Sequence, residues 1–530
     1  MRLLISIFLL LSFLYACQTN GTPTEKVQGF VNRDTTVTPQ NAYTDLFLDS
    51  AAVARFFKSA DDTLTAQVRN FYNARNYEFA WFSEDGITPQ AEGFWNGHED
   101  YINGVGDSSV HDPILHTIMD TLLYADNTFQ PDRKTLIETE MRLTRHFFLF
   151  AQTAFGASAD PAELQWHIPK RKLNIRAMLD SLLASENKEW QPLNPRFHHL
   201  QNAVLRYRSI QTNGGWPDLE VSSRKWRKGA KDEAVKNIKK RLAAEGHWPG
   251  ADTSLQFTDS FAKAVAKVQG LYGQTQSAVV DAAFIKALNV PVEDRIAQML
   301  VNLERMKWMP RQPEDYIFIN IPEYRFRLIE GGREELTIDV VVGKAANRSV
   351  VFSDELKYIV FSPYWNIPRS IVRNEIVPAM RRSSSYLRRN NMEITGYSGG
   401  LPVVRQKPGR RNALGQVKFL FPNEYNIYFH DTPAKSLFSR EKRAFSHGCI
   451  RLKRPFDLAK YLLKDDPSWT DAAIKKAMNR SSEKWVTLEK RWPVFITYFT
   501  SWSTDDGNVY FLEDIYGHDK KLGSRLFEEE

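Results

Sequence analysis

The chain has 530 residues, of which 42% are hydrophobic and 12% aromatic, and its formal net charge is +7. At roughly 100–200 residues per domain, this length corresponds to about three to five domains, and the composition excludes a disordered chain. The sequence contains two cysteines, Cys17 near the N-terminus and Cys449 deep in the C-terminal half. This spacing excludes a disulfide-stapled fold and a zinc site built from several thiolates.

The first 17 residues resemble a bacterial lipoprotein signal peptide. Arg2 supplies a positive charge, and Leu3 to Leu14 form an apolar run. That run is shorter than the about 20 residues of a membrane-spanning helix. Ala16 and Cys17 resemble a lipobox, in which the cysteine becomes the lipidated first residue. We therefore expect an exported protein, anchored to a membrane through Cys17 at the periplasmic face of the envelope. Ordinary cleavage nearby, with Cys17 incidental, is the alternative.

The pattern of apolar residues divides the chain before its C-terminal half. Residues 18–40 are polar and lack an apolar period, which is typical of a flexible tether. Residues 41–228 place apolar side chains at three- and four-residue steps, which predicts a helical scaffold domain. Residues 229–292 predict three short helices, with Gly246 as a C-cap after the first. The pattern Leu-x-x-x-Gly, then Ala-Val-x-x-Val-Gln-x-x-x-Gly, then Ala-Leu-Asn-Val resembles the small peptidoglycan-binding domain, and a purely structural spacer is the alternative.

Residues 293–520 are predicted to form a β-rich domain with a few helices. Several segments alternate apolar and polar residues or are rich in β-branched residues. Gly331-Gly332 and Asp506-Gly507 have the composition of hairpin turns. The predicted fold class is therefore α+β and multidomain, with a helical scaffold, a three-helix module and a β-rich C-terminal domain.

Positive charge is concentrated in one part of the sequence. Between Trp365 and Lys460 there are 19 lysine and arginine residues and 6 acidic residues. A basic surface of this kind indicates an anionic partner. Since an exported protein rarely meets nucleic acid, carboxylate-rich wall peptides are the better match. An arginine-rich solvated surface without a partner is the alternative.

The surroundings of Cys449 indicate chemistry. A thiol must lose its proton before it attacks a carbonyl, and His430, nineteen residues earlier, is a candidate acceptor. Gly448 permits a close backbone approach, where N–H groups could stabilise an oxyanion. Arg451 lies on the same face if the run is extended, and could bind a substrate carboxylate. On these residues alone, a nucleophilic cysteine and a buried, inert cysteine are equal alternatives.

The string Ser446-His447-Gly448-Cys449, preceded by His430, resembles the signature of the L,D-transpeptidase (YkuD-type) family. Wider matches resemble the large YcbB-like branch, which joins a helical scaffold, a peptidoglycan-binding-like module and the catalytic domain. These matches are VNLERMKWMP at 301–310, DVVVGK at 339–344, SPYWNIP at 362–368, PGRRNALGQVKF at 408–419 and FHDTP at 429–433. The resemblance covers roughly residues 45–520.

The resemblance implies catalytic roles for four residues. Cys449 matches the nucleophile, and His430 matches its proton acceptor. His447 and Gly448 match the segment that shapes the oxyanion site. A structural, hydrogen-bonding role for His447 is an equal alternative.

Three further residues match the substrate-binding side of the family's site. Arg451 matches a position associated with substrate binding, and Tyr428 matches a residue near the oxyanion site. Ser446 belongs to the same group, although a structural role is the favoured interpretation for it. For Tyr428 the alternative is an aromatic residue of the core.

The implied reaction is a 3→3 cross-linking of peptidoglycan through a thioester on Cys449, with release of D-alanine from a tetrapeptide stem. Water as acceptor would give an L,D-carboxypeptidase, and a free D-amino acid would give exchange. Carbapenems are the expected inhibitors, and the resemblance implies no metal or cofactor. A non-catalytic wall-binding scaffold and a cysteine endopeptidase are the rival functions, and the matched signature argues against both.

One segment departs from the family pattern. The large branch often carries a long lid before the PGRRNALG segment, whereas residues 390–407 are short here. We therefore expect a smaller or more open lid. The departure affects the expected gating of the substrate and leaves the expected chemistry unchanged.

Overall fold

The computed structural model describes residues 31–56, 63–106, 108–124, 132–185 and 193–527. The expected signal peptide, with Cys17 as its lipidation site, lies outside these residues, as does most of the expected tether. The chain forms two compact units. The first contains the described residues of Met1–Ala91 and Ile114–Leu149, and the second contains those of Glu92–Pro113 and Phe150–Glu530. None of the described helices has the length and apolarity needed to cross a bilayer.

The N-terminal part of the chain is mainly helical, as the apolar periodicity predicts. Its elements are α1 (Ser50–Phe56), α2 (Thr63–Asn73), β1 (Phe82–Ser83), β2 (Gly86–Ile87), α3 (Pro89–Val105), α4 (Pro113–Tyr124) and α5 (Arg133–Phe155). In the first unit, the buried Glu140 carboxylate accepts hydrogen bonds from the backbone N–H groups of Ala80 and Trp81, at 2.6 and 3.0 Å. The Tyr72 hydroxyl donates to it at 2.9 Å. Burial raises the pKa of Glu140 to about 7.

The second unit continues with β3 (Trp166–His167) and with the helices α6 (Ile175–Leu183), α7 (Pro195–Thr212), α8 (Glu233–Ala244), α9 (Asp259–Leu271), α10 (Ala282–Leu288) and α11 (Val292–Trp308). Of these helices, α6 to α10 start with a side-chain cap. Asp232, Thr258 and Asp281 each accept a hydrogen bond from the first turn of α8, α9 and α10. Gly246 follows α8 with φ +77°, so its predicted position after the first helix of the module is confirmed.

The three-helix module is held by a buried polar cluster. The Glu245 carboxylate lies 2.6 Å from the Arg241 guanidinium, and both side chains are fully buried. Tyr207 of α7 and Tyr272 at the end of α9 each donate a hydrogen bond of 2.7 Å to Glu245. A buried ion pair is costly unless its charged groups also make hydrogen bonds. The two tyrosine hydroxyls supply such bonds to Glu245 and, because Tyr207 lies on α7, they link the module to that helix.

The C-terminal region is built around a twisted β-sheet. Its strands are β4 (Tyr316–Asn320), β5 (Arg325–Glu330), β6 (Arg333–Gly343), β7 (Val351–Phe361), β8 (Trp365–Asn366), β9 (Met392–Ser398), β10 (Leu401–Gln406), β11 (Val417–Leu420), β12 (Phe429–His430), β13 (Ala444–Ser446), β14 (Ile450–Leu452), β15 (Lys484–Thr497), β16 (Ser501–Ser503) and β17 (Val509–Phe511). Its helices are α12 (Arg369–Ile371), α13 (Val377–Arg382), α14 (Tyr386–Arg389), α15 (Pro455–Leu462), α16 (Asp471–Met478) and α17 (His518–Phe527).

The main sheet closes on itself. Its order is β11-β12-β14-β6-β5-β4-β15-β7-β3, and β7 pairs in addition with β11. Strands β11 to β7 of this order therefore form a closed circuit, which leaves the interior lined by apolar side chains such as Ile319, Phe326 and Val340. β12 and β14 are parallel neighbours in this circuit. That pairing brings residues about twenty positions apart in the chain side by side.

Residues 363–413 form an insertion between β7 and β11. Helices α12 and α13 are joined by a π-helical turn at Val372–Ile376, and β9 and β10 form an antiparallel hairpin. Five buried residues give the insertion its own small core, namely Ile367, Ile371, Val372, Ile376 and Val404. The short segment 390–407 thus forms the hairpin of a larger folded subdomain.

The predicted hairpin turns are confirmed, and one predicted strand is wrong in its extent. Gly331-Gly332 joins β5 to β6, and Asp506-Gly507 joins β16 to β17. The segment YNIYFH at 425–430 alternates polar and apolar residues, which predicts a strand, but only Phe429 and His430 form β12. Asn426 adopts φ +54°, because the residues before β12 form a turn that the Asn423 side chain closes.

Candidate active site

Cys449 lies in a tight turn between β13 and β14. Gly448 adopts φ +115°, a conformation that favours glycine and lets the chain reverse directly before the cysteine. The Ser446 hydroxyl accepts from the Gly448 N–H at 3.1 Å and donates to the Cys449 carbonyl at 2.6 Å. Ser446 is buried, so its side chain stabilises the turn and does not face a substrate.

A second layer holds this turn against β6. The Ser349 hydroxyl donates to the Gly448 carbonyl at 2.7 Å and accepts from the Gly343 N–H at 3.0 Å. The Tyr516 hydroxyl donates to the Gly343 carbonyl at 2.5 Å. Ser349 and Tyr516 therefore fix the backbone that presents the thiol.

The Cys449 thiol is surrounded by groups from the segment before β12. Its Sγ lies 3.6 Å from the Asn426 carbonyl oxygen, to which the thiol donates. The backbone N–H and the hydroxyl of Tyr428 lie beside the sulfur and lower the pKa of the thiol. Burial outweighs them, and the pKa of Cys449 lies above its usual value. The resting group is thus a protonated thiol with donors in place for the thiolate.

His430 lies on the neighbouring strand, on the same face as the thiol. β12 and β14 are parallel with His430 opposite Arg451, which makes Cys449 a diagonal neighbour of His430. The Asp431 carbonyl oxygen lies 2.5 Å from His430 Nδ1. Because a carbonyl only accepts, it holds the proton on Nδ1 and leaves Nε2 as a base. Burial and the Arg451 guanidinium lower the pKa of His430 to about 3, so the ring is neutral.

Arg451 is a partly buried cation beside the nucleophile. Among the described residues, it has no ion pair, and its buried Nε has no hydrogen-bond partner. Its charge lowers the pKa of Cys449 and of His430. A guanidinium without an acceptor among the described residues is suited to an anionic substrate group, and a carboxylate matches its fork.

The Asp431 side chain, next to His430 in the chain, is held in place by two contacts. Its Oδ2 accepts from the Gln416 N–H at 2.9 Å, and its Oδ1 lies 2.6 Å from Lys435 Nζ. A Cβ on Gly415 would lie 2.3 Å from Asp431 Oδ2, so this contact requires glycine. The carboxylate thus positions the carbonyl that orients His430.

The predicted oxyanion segment has one backbone donor that the turn does not use. The Gly448 N–H is engaged by Ser446, whereas no acceptor contacts the Cys449 N–H among the described residues. The His447 ring is exposed, and its Nε2 lies 3.5 Å from Glu375 of the insertion. The geometry therefore favours the Cys449 N–H as an oxyanion donor and directs the His447 side chain towards the insertion.

The structure places His430 opposite Arg451 on the paired strands β12 and β14, and Tyr428 beside Cys449. It also adds the Asn426 carbonyl, the Asp431 carbonyl and Ser349. The Asn426 and Asp431 contacts are made by backbone carbonyls, and residue type does not predict which carbonyl will be used. The asparagine-rich turn before β12 was a usable signal for Asn426. None of the described residues forms a cluster of three or more side chains suited to a metal ion.

Comparisons with known proteins place the site within one matched domain. The L,D-transpeptidase catalytic domain (YkuD) matches residues 314–469, and the Scaffold domain matches residues 66–204. A curated protein of Haemophilus influenzae, named "Putative L,D-transpeptidase", is 31% identical over 292 residues. That match covers 52% of this chain and 58% of the relative, so it spans little more than half of the relative's length.

Solved L,D-transpeptidases are more distant. One from Mycobacterium smegmatis is 13% identical, with 35% of this chain and 58% of that chain covered and a TM-score of 0.20. One from Stackebrandtia nassauensis is 12% identical, with 53% of this chain and 96% of that chain covered and a TM-score of 0.22. The two domain matches and the curated relative agree: the chain contains an L,D-transpeptidase catalytic domain (YkuD) at residues 314–469, preceded by a Scaffold domain at residues 66–204.

Proposed function

We propose that the protein is an L,D-transpeptidase that forms 3→3 cross-links in peptidoglycan. The observation that carries this proposal is the arrangement around Cys449, where Tyr428 lowers the pKa of the thiol and neutral His430 lies on the neighbouring strand, opposite Arg451. The unpaired Arg451 supplies a place for a carboxylate of the donor stem. The matched catalytic domain supports the same reaction class.

The first half-reaction transfers the donor stem to the enzyme. His430 Nε2 accepts the thiol proton, and Cys449 Sγ attacks the carbonyl carbon at the L-centre of the third residue. The Cys449 N–H stabilises the oxyanion of the tetrahedral intermediate. The intermediate collapses, the C–N bond breaks, and protonated His430 gives its proton to the departing D-alanine amine. The product is a thioester.

In the second half-reaction the proton moves in the opposite direction, from the acceptor amine through His430 to the Cys449 thiolate. The side-chain amine of an acceptor stem attacks the thioester carbonyl and loses a proton to His430. A new C–N bond forms, the C–S bond breaks, and the proton returns to the thiolate. Water in place of the amine gives a tripeptide and a carboxypeptidase, whereas a free D-amino acid gives exchange. Carbapenems acylate Cys449 by the same attack on a strained carbonyl.

The proposal is tested with purified disaccharide-tetrapeptide and mass spectrometry. We expect a thioester on Cys449 at the mass of the stem minus D-alanine, followed by a cross-linked dimer. The variant Cys449→Ala stays folded and forms neither species. A thioester-mass adduct in that variant would place the nucleophile elsewhere.

Membrane anchoring is a separate part of the proposal. It rests on the sequence around Cys17, with export to the periplasmic face of the envelope. Cys17→Ser is expected to move the full chain from the membrane fraction to the soluble fraction, with cross-linking activity unchanged. Membrane fractionation identical to that of the wild type would contradict lipidation at Cys17.

A further inference from the structure

The insertion at 363–413 carries an unusual excess of positive charge. It contains ten arginine and lysine residues and two carboxylates, Glu375 and Glu393. Nine of the ten cations are arginines. Cations this close together repel one another and destabilise the folded segment unless anions neutralise them.

The two carboxylates of the insertion do not neutralise most of these cations. Glu393 lies 2.6 Å from Arg405 and 2.8 Å from Lys407, which uses both of its oxygens. Glu375 faces His447. Eight exposed arginines have no ion pair among the described residues, namely Arg369, Arg373, Arg381, Arg382, Arg388, Arg389, Arg410 and Arg411.

These arginines project from a folded platform beside the nucleophile. The insertion has its own buried core, so the charges are held in place and not on a free tail. Glu375 lies 3.5 Å from His447, two residues before Cys449. A field from fixed arginines at this position acts on ligands that approach the thiol.

We propose that the insertion binds the anionic stem peptides of polymeric peptidoglycan and so concentrates the polymer at Cys449. This inference rests on the proposed function and deepens it by naming the form of the substrate. One exposed arginine contributes little on its own. A polymer that presents many carboxylates engages several arginines at once. Because these contacts are linked, the overall affinity is much higher than that of any single contact. A single soluble stem cannot do this.

The chemistry of the surface favours carboxylates on peptides over a bilayer. Arginine forks bind carboxylates through two parallel hydrogen bonds, which point charges such as lysine do not provide. Large apolar side chains are sparse on the insertion, where Tyr397 is 76% and Val403 43% exposed. A membrane-binding surface needs a broad apolar face to bury.

The test compares binding to the polymer with turnover of a soluble stem. The full chain with Arg381→Gln, Arg382→Gln, Arg388→Gln and Arg389→Gln loses four charges of the insertion. The matched control is the quadruple substitution of exposed lysines outside the insertion, namely Lys170→Gln, Lys172→Gln, Lys475→Gln and Lys476→Gln. Both variants are measured by co-sedimentation with purified sacculi, by co-sedimentation with vesicles of anionic phospholipid, and by turnover of disaccharide-tetrapeptide.

We expect the insertion variant to bind sacculi about tenfold more weakly than wild type at low salt, and the control within about twofold. Both keep turnover of the soluble stem within about twofold. Amidation of the carboxylates of the sacculi should weaken wild-type binding to the level of the variant. Added salt should weaken binding of the wild type more than binding of the variant.

Three outcomes would overturn the inference. They are equal binding of variant and wild type to sacculi, wild-type binding that survives amidation, and a loss confined to vesicles of anionic phospholipid. The last result would identify a membrane as the partner. A wild-type protein that binds sacculi in a charge-dependent way but turns over no soluble stem would contradict the proposed function and leave the binding surface intact.

Discussion

Tyr428 lies beside Cys449, and its backbone N–H and its side-chain hydroxyl both lower the pKa of the thiol. The same ring packs edge-on against His430, with centroids 5.8 Å apart. Tyr428 thus lies against both Cys449 and His430. Its own pKa is raised by burial and by the neighbouring Cys449, so the hydroxyl remains a donor while the thiolate forms.

Removal of the tyrosine hydroxyl should slow acylation. Tyr428→Phe keeps the ring and the backbone N–H but loses one hydrogen bond to a developing thiolate. Such a bond to a charged group contributes about 1.5–3 kcal/mol, so thioester formation should slow by about tenfold or more. The control is Tyr425→Phe, a nearby tyrosine whose ring packs against Phe352. Equal rates for Tyr428→Phe and wild type would remove the hydroxyl from the mechanism.

Alkylation of the free enzyme should report a protonated resting thiol. The pKa of Cys449 is raised by burial, and that of His430 is lowered to about 3. A preformed thiolate–imidazolium pair is therefore absent near neutral pH. Because only the thiolate reacts, the rate with iodoacetamide should rise about tenfold per pH unit from pH 7 towards 9. A plateau between pH 5 and 7 would reveal a preformed ion pair.

Arg451 should govern recognition of the donor's terminal carboxylate. The wild type is expected to prefer a tetrapeptide with a free C-terminus over its C-terminal amide by about tenfold in kcat/KM. Arg451→Gln should lose that preference, mainly through KM for the free acid. Arg440→Gln, an exposed arginine without an ion pair among the described residues, is the matched control. An unchanged preference in Arg451→Gln would place the carboxylate elsewhere.

Gly415 should be needed for activity through its contact with Asp431. Gly415→Ala puts a Cβ within 2.3 Å of Asp431 Oδ2 and displaces the residue whose carbonyl orients His430. Gly332→Ala is the control, because Gly332 also has a positive φ (+73°) but nothing within 4 Å of an added Cβ. Both variants pay about 1 kcal/mol of backbone strain. Only Gly415→Ala should lose tenfold or more in kcat/KM and melt markedly earlier.

Sequence patterns indicate candidate site residues where side chains would carry the function. Cys449, His430 and Arg451 were candidates from residue type and from the resemblance, and the structure places His430 opposite Arg451, two residues after Cys449, on the parallel strands β12 and β14. The carbonyls of Asn426 and Asp431 were not predicted, because every residue has a carbonyl and only the fold selects one.

The same distinction applies to the fold. The hairpins at Gly331-Gly332 and Asp506-Gly507 follow from local turn chemistry, and both were predicted. The closure of the sheet through β7 and β11 depends on pairing between residues about sixty positions apart, which no local pattern encodes. The core of the insertion was likewise not predicted, because its apolar residues are spread over short helices and a hairpin.

The most direct test of the account is mass spectrometry of wild-type protein and Cys449→Ala with disaccharide-tetrapeptide. If Cys449 is the nucleophile, the wild type should carry a stem-minus-D-alanine adduct on Cys449 and form a cross-linked dimer that has lost one D-alanine. Both species should be absent from the variant. Tripeptide without dimer would mean that water is the acceptor. Dimer formation by folded Cys449→Ala would contradict the central claim that this thiol is the nucleophile.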